Sequence, residues 1–308
     1  MRVFDEAATR EALPFDRLIE RLRELFRVGC EVPARHVHKI VGPDGQGTVL
    51  VMPAWNERFL GIKTVNVYPD NARRGLPTLF SVYTLFDATT GEPLAQMDGN
   101  VITSRRTAAT SALAASYLAR AGSSTLTVLG AGRVASLLPP AYASVFPLRE
   151  VLVWNRSSAP ADRLVRDLSS KGLDARVSTS VEEAVVDADI VSAATLATSP
   201  IVSGSWLSPG SHTDLIGSFT PEMREADETV LRQARVFVDT EEAISKCGDL
   251  VVPIANGTWS TSSLAGTLAD LCRGRVRGRE RDDQRTVFKS VGTALEDLAA
   301  ATLVFECV

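Results

Sequence analysis

Cysteine and histidine are scarce in this chain, and those present lie apart. The four cysteines, Cys30, Cys247, Cys272 and Cys307, include no CxxC pair, which excludes a zinc ribbon or a dithiol redox centre of that form. The three histidines, His36, His38 and His212, are too few and too separated for a metal site without clustered acids or thiols beside them. His36 and His38 have strand spacing, which sets both on one face and suits a structural or substrate-contact role. No long apolar run is present, and the opening MRVFDEAATREALPF is acidic rather than signal-like, so a reducing cytoplasm and no membrane association are expected. Basic charge is not in excess either. A net charge of −4 points to no nucleic-acid or anionic-membrane partner. The single basic cluster, Arg273 to Arg281, is interleaved with glycine and followed by acids, the pattern of a solvated edge.

What is present is an ordinary globular composition, 45% hydrophobic and 23% charged over 308 residues, long enough for two domains. Residues Pro14 to Phe26 carry apolar side chains at helical spacing. The runs HVHKIV, GTVLVMPAW, FLGIKTVNVYP, LFSVYTLFDA and PLAQMDGNVI then read as short strands, separated by turn chemistry such as Pro43-Asp44-Gly45 and Thr90-Gly91. They predict a largely antiparallel meander, followed by an Ala-rich helix over Ser104 to Ala119. From Ser123 strands and helices alternate, which predicts right-handed βαβ units and a parallel sheet. The last helix, placed near Thr286 to Glu306, reads as amphipathic, with Asp282-Asp283-Gln284 capping it. The fold class is therefore α/β, a Rossmann dinucleotide-binding domain over 120–289 with an α+β substrate and dimerisation domain over 1–119 plus 290–308.

The most specific local signal is TVLGAGRVAS. Gly130-Ala131-Gly132-Arg133-Val134-Ala135 is a GxGxxA between a predicted strand and a predicted helix. The first glycine permits a tight turn, the second admits a pyrophosphate close to the backbone, and the small alanine lets helix and strand pack closely. About 20 residues on, an NAD site carries an acid for the ribose 2′-hydroxyl. Here the second strand ends Trp154-Asn155-Arg156-Ser157-Ser158, donors that suit a 2′-phosphate. NADPH is the expected cofactor, with NADH as the alternative.

Three cations of the first domain stand out. Lys63 interrupts the apolar strand GIKTVNV, and Arg105 and Arg106 sit at the start of the Ala-rich helix, against its dipole. Arg35 is a further candidate, and such a group suits a substrate carboxylate.

The strings VMPAW, GIKTVNVYPDN, GLPT, SRRTAATSALAASYLAR, VLGAGRVA, VWNR and DDQRTVFKSVGTALEDLAAA together resemble the ornithine cyclodeaminase/μ-crystallin family over nearly the whole chain. The resemblance implies a homodimer, with the C-terminal helix returning to the first domain. It also implies that Lys63 and Arg106 hold the substrate carboxylate, with Met52 and Thr78 in the pocket and Arg35 as the remaining cationic contact, for which Lys39 competes. Cyclodeaminases of the family carry an Asp where this chain has Phe219, and phenylalanine takes no proton. The segment GSFTPEMRE is similar to that of the Δ1-pyrroline-2-carboxylate and Δ1-piperideine-2-carboxylate reductase branch. Its implied activity is hydride delivery to a small cyclic imino acid to give L-proline or L-pipecolate, with Lys63 or a water as proton source. The alternatives are an ornithine cyclodeaminase, an alanine-type dehydrogenase acting on an open-chain 2-oxo acid with ammonia, and a μ-crystallin-like NADPH-dependent binder of a small ligand.

Overall fold

Period-two alternation builds the first part of the molecule. Strands β1 (Arg2–Phe4), β2 (His36–Gly42), β3 (Gly45–Trp55), β4 (Phe59–Val67), β5 (Leu79–Asp87) and β6 (Pro93–Asp98) form one sheet in the order β1-β6-β5-β4-β3-β2. Strands β2 to β6 are the antiparallel meander, whereas β1 pairs with β6 in parallel. The computed structural model describes residues 1–42 and 45–307, so Pro43 and Asp44 of the expected turn lie outside the described residues. The chain divides into two units, residues 1–106 with 293–308 and residues 107–292.

One row across the first sheet is dry. Met52, Lys63, Tyr83 and Met97 are successive cross-strand partners along one row, and all four are buried. The helix Phe15–Val28 buries Phe15, Leu18, Ile19, Leu22, Leu25 and Phe26, the stripe that its spacing predicts. It packs against the terminal helix Ala294–Glu306, which also lies on β3, β4 and β5. That terminal helix is not amphipathic as expected. Every residue from Ala294 to Val304 is buried, Glu296 and Asp297 included. The Ala-rich helix begins at Gly99 rather than Ser104, with Asp98 accepting a hydrogen bond from the Val101 N–H at 2.8 Å. Arg105 and Arg106 therefore stand in its second turn, where the helix dipole no longer opposes them strongly.

The second unit is an eight-stranded sheet, parallel throughout: β7 (Thr125–Leu129), β8 (Glu150–Trp154), β9 (Ala175–Val177), β10 (Ile190–Ala193), β11 (His212–Leu215), β12 (Ala234–Val238), β13 (Leu264–Thr267) and β14 (Arg285–Lys289). Their order is β13-β12-β14-β11-β10-β7-β8-β9. The chain winds outward from β7 to β9, then returns to the other side of β7 with β10 and β11. This reversal is the switch point at which Rossmann sheets open a crevice. The strands β10 and β11 are wholly buried, as a sheet covered on both faces requires.

Two expectations fail here for local reasons. Thr286 to Lys289 is a buried strand, not the start of the last helix; a short apolar run gives no period by which to choose. Asp282-Asp283-Gln284 consequently caps no helix. Asp283 instead accepts from the Arg281 guanidinium at 2.9 Å, and Gln284 from the Glu280 N–H at 3.0 Å. After the Gly-rich turn comes a 3-10 turn, Ala135–Leu137, then the short helix Leu138–Ala143, which tolerates Pro139 and Pro140 because both fall in its first turn. Among the described residues no helix is long and apolar enough to cross a membrane.

His212 at the start of β11 is fully buried, its Nδ1 3.0 Å from the Thr286 hydroxyl. Burial, with help from the Arg279 charge, holds its ring down to about 3 from 6.5. Between those values the unfolded chain takes up a proton that the folded chain refuses, so stability falls as pH drops below 6.5, by up to about 1.4 kcal/mol per pH unit. His212→Gln should flatten that slope in urea titrations at pH 7 and pH 5; an unchanged slope would show that His212 is not the group responsible.

Candidate active site

The second unit carries a cleft of about 430 Å³ at the carboxyl ends of β7, β8 and β10. Its floor is the Gly-rich turn. Gly130 takes φ 114°, donates its N–H to the Trp154 carbonyl at 2.7 Å, and leaves no room for a side chain, since a Cβ would stand 2.7 Å from the Ala194 carbonyl oxygen. At Gly132, by contrast, a Cβ would meet nothing within 4 Å. The backbone there is open to a ligand rather than crowded by the fold, as a pyrophosphate contact requires. Ala131 lines the cleft with these glycines, and Ala135 is fully buried beneath. Arg133 is exposed and Val134 half-buried, and neither belongs to the cleft wall.

Asn155, Arg156 and Ser157 form the wall at the end of β8. The Asn155 side-chain amide donates to the Ser157 carbonyl at 2.9 Å, while Arg156 is exposed. Among the described residues that line the cleft there is no carboxylate. The opposite wall, the Ala194–Ser199 loop after β10, was not anticipated, because its composition carries no signature; only the strand order identifies it.

In the first unit, three segments meet around one carboxylate. The Lys63 ammonium of β4 lies 2.6 Å from Asp297 Oδ2 and donates to the Thr103 hydroxyl at 3.3 Å. Arg106 donates from Nε to Asp297 Oδ1 at 3.0 Å and pairs also with Glu296. The two cations and two carboxylates balance, which is the condition for burying them. Lys63 is 2% exposed and Arg106 6%. Burial draws Lys63 down to about 8, although Asp297 pulls the other way. Burial pushes Asp297 up, yet Lys63 and Arg106 outweigh it and hold the carboxylate below its usual range. Sequence reasoning missed Glu296 and Asp297; the available signal was a pair of acids inside an otherwise apolar helix.

Of the other expected residues, Met52 is the buried cross-strand neighbour of Lys63. Arg35 precedes His36, which pairs with Val51, so Arg35 falls next to the Met52 row at the edge of the sheet. Thr78 is exposed, and its carbonyl accepts from the Tyr68 N–H at 2.8 Å. Tyr83 lies five positions further along the chain, about 16 Å of extended strand, so the register does not bring Thr78 to Lys63. Lys39 is exposed on β2. Arg105 is taken up by structure, stacked over Phe15 and donating to the Leu13 carbonyl at 2.7 Å. His36 and His38 stack on the sheet face turned away from Lys63. In the second unit, Phe219 is half-exposed after β11.

A doubly wound parallel sheet with a glycine-floored cleft, in a chain that also buries a lysine–arginine–carboxylate cluster, defines a dinucleotide-dependent oxidoreductase of the α/β class. The chain belongs to the ornithine cyclodeaminase/mu-crystallin family, which it matches over residues 7–308. It is 39% identical over 284 residues to a Δ1-pyrroline-2-carboxylate reductase of Paracoccus denitrificans, covering 91% of this chain and 90% of that one. Among solved structures it is similar to the Δ1-pyrroline-2-carboxylate reductase of Thermococcus litoralis in complex with NADH and L-proline, with TM-score 0.93, 31% identity, and coverage of 100% and 97% of the two chains. An archaeal alanine dehydrogenase dimer with bound NAD gives TM-score 0.92 at 30% identity, covering 100% of this chain and 95% of that one.

The two glycines predict separable phenotypes. Gly132→Val should leave the melting temperature within about 2 °C of wild type and raise the dissociation constant for a nicotinamide dinucleotide at least about tenfold. Gly130→Val should lower the melting temperature itself. Calorimetry and fluorescence titration on both variants check this, and tight dinucleotide binding by Gly132→Val would remove the turn from the cofactor site.

Proposed function

We propose that this chain reduces a cyclic ketimine carboxylate, Δ1-pyrroline-2-carboxylate or Δ1-piperideine-2-carboxylate, to L-proline or L-pipecolate. The observation that carries the reading is the Lys63–Asp297–Arg106–Glu296 cluster, in a chain that also has a dinucleotide cleft. The dinucleotide, when bound, supplies the hydride that C2 of the ring receives. Hydride addition to the protonated imine leaves a neutral ring amine, which takes up a proton to leave as the ammonium product, so the chain must keep a protonated group available. Lys63, brought down to about 8, is mostly protonated at neutral pH yet gives up its proton more easily than a solvated lysine. Asp297 and Glu296 hold Lys63 and Arg106 in place as the cations that meet the substrate carboxylate. Met52 beside Lys63 and Arg35 next to that row complete the proposed substrate contacts, and Thr78, which the register keeps from Lys63, is left out of them. Phe219 in place of an acid supports reduction over ornithine cyclodeamination, because it cannot take a proton from a substrate amine.

NADPH is the proposed cofactor, held by Gly130, Ala131 and Gly132, with Arg133, Val134 and Ala135 completing the turn and Asn155, Arg156 and Ser157 donating to the 2′-phosphate. The absence of an acid at the end of β8 supports NADPH over NADH. A homodimer is proposed as the working form. Ile40, Phe80 and Val82 are 41%, 45% and 43% exposed on the outward face of the first sheet, an apolar surface suited to a second copy.

Assays following nicotinamide oxidation with Δ1-pyrroline-2-carboxylate should show a higher kcat/KM with NADPH than with NADH. Turnover of pyruvate with ammonia but not of the cyclic imine would refute the substrate class. If Lys63 is the proton source, kcat/KM falls as pH rises through about 8, and Lys63→Gln lowers it about 10²–10⁴-fold. Asp297→Asn leaves burial unopposed by its main counter-charge, so the alkaline limb should move to lower pH. A limb that stays in place in Asp297→Asn would detach it from Lys63.

A further inference from the structure

A second ionic cluster is buried in the second unit, apart from the groups used so far. Glu225, on the loop that follows β11, is fully buried. One of its carboxylate oxygens accepts from the Thr195 N–H at 2.7 Å and the Thr195 hydroxyl at 2.8 Å; the other accepts from the Gly217 N–H at 2.7 Å. The side chain thus spans two loops, the one after β10 that walls the cleft and the one after β11 that leads to Phe219. These loops touch directly: a Cβ at Gly217 would fall 1.8 Å from the Thr195 carbonyl oxygen. Asp249 fixes the Glu225 backbone in turn, accepting from the Glu225 N–H at 2.8 Å and the Ala226 N–H at 3.0 Å, and Lys289, also fully buried, lies 3.3 Å from Asp249.

Such an arrangement is an expensive way to fill a core. Burial raises Glu225 to about 7, with Lys289 opposing and Asp249 adding to the rise. Apolar side chains of similar volume would usually stabilise the fold as well or better. What an apolar residue would not supply is directional acceptance of three donors from two different loops.

We propose that Glu225 is a positioning residue for the cofactor, clamping the backbone of Thr195 to that of Gly217 and so fixing the β10 wall of the cleft. The proposal rests on reading that cleft as the dinucleotide site, and it assigns Glu225 no contact with the reacting atoms.

The test is direct dinucleotide binding, read by NADPH fluorescence, beside the melting temperature of the unliganded protein. Glu225→Gln keeps the shape and one acceptor oxygen but turns an amide N–H₂ toward a backbone N–H. It should raise the NADPH dissociation constant about tenfold or more. Thr195→Val, which removes the hydroxyl that donates to Glu225 and accepts from the Ala197 N–H at 3.3 Å, should raise it severalfold and serves if Glu225→Gln fails to fold. Leu22→Ala, a cavity variant in the first unit, supplies the comparison: it should cost at least as much thermal stability while leaving the NADPH dissociation constant within twofold of wild type. Affinity within twofold of wild type in Glu225→Gln and Thr195→Val, or a loss of affinity in Leu22→Ala matching theirs, would overturn the proposal. Wild-type protein that binds NADPH but leaves the cyclic imine unreduced would refute the functional reading, while the Glu225→Gln result would still decide this one.

Discussion

The first unit depends on a single carboxylate. Lys63 arrives on a strand and Arg106 on a helix, and both are removed from water, so neither position is tenable without an anion between them. Asp297 supplies it to both, and Glu296 supplies a second to Arg106. The acids come from the terminal helix, 190 and 191 positions beyond Arg106. The first unit therefore completes its charge balance only when the last segment of the chain joins it. That explains why the terminal helix is buried on all sides and why its two acids come in its first turn, beside the strand face that holds Lys63. Removing the anion would leave two buried cations, the costly half of the asymmetry between a buried pair and a broken one.

The second unit solves a related problem with different means. Its sheet carries buried polar side chains of its own, such as His212 paired with Thr286 and Lys289 beside Asp249, but the cleft is lined by the loops at the carboxyl ends of the strands. Those loops have no regular hydrogen bonding of their own to hold them. Gly130 fixes one by its backbone conformation and by crowding against Ala194. Glu225 and Asp249 fix others by accepting backbone N–H groups that would otherwise be buried unsatisfied. The carboxylates here answer to backbone dipoles as much as to Lys289, whereas in the first unit they answer to full charges. This difference is visible in the acids themselves: Asp297 is held below its usual range, and Glu225 is driven above it.

How much of this the sequence discloses follows from how local each cause is. The Gly-rich turn was legible because strand, glycines and small alanine all lie within a dozen residues and each has one physical purpose. Lys63 was legible as an anomaly, a cation in an apolar strand, but its partner was not. Asp297 sits in ALEDLAAATLVF, where a pair of acids in the first turn resembles ordinary dipole-compensating surface residues. Only the packing of that helix reveals that they face inward. TVFKS had too few residues to display a period, so its place in the sheet was hidden, and with it the position of Lys289. Thr78 shows the converse limit. A resemblance can carry a residue into a pocket list, but strand register sets its distance from Lys63, and register is fixed by pairings that a linear sequence does not display.

Charge balance also bears on which substrate the proposed chemistry favours. The Lys63–Arg106–Asp297–Glu296 cluster is already neutral within itself. A simple carboxylate drawn to its two cations would leave it with one uncompensated negative charge in a dry environment, and a cost set by burial would follow. A protonated cyclic ketimine carboxylate is different, because its ring nitrogen carries a positive charge beside the carboxylate and the molecule enters as a zwitterion. Its anion shares the cations while its own cation remains close to the acids, so the sum stays zero. An open-chain 2-oxo acid brings no such cation until ammonia has condensed with it. Under the proposed function, the same four side chains that the fold needs for its own stability would discriminate between the ring substrate and its open-chain competitor by net charge, before shape or ring size enters.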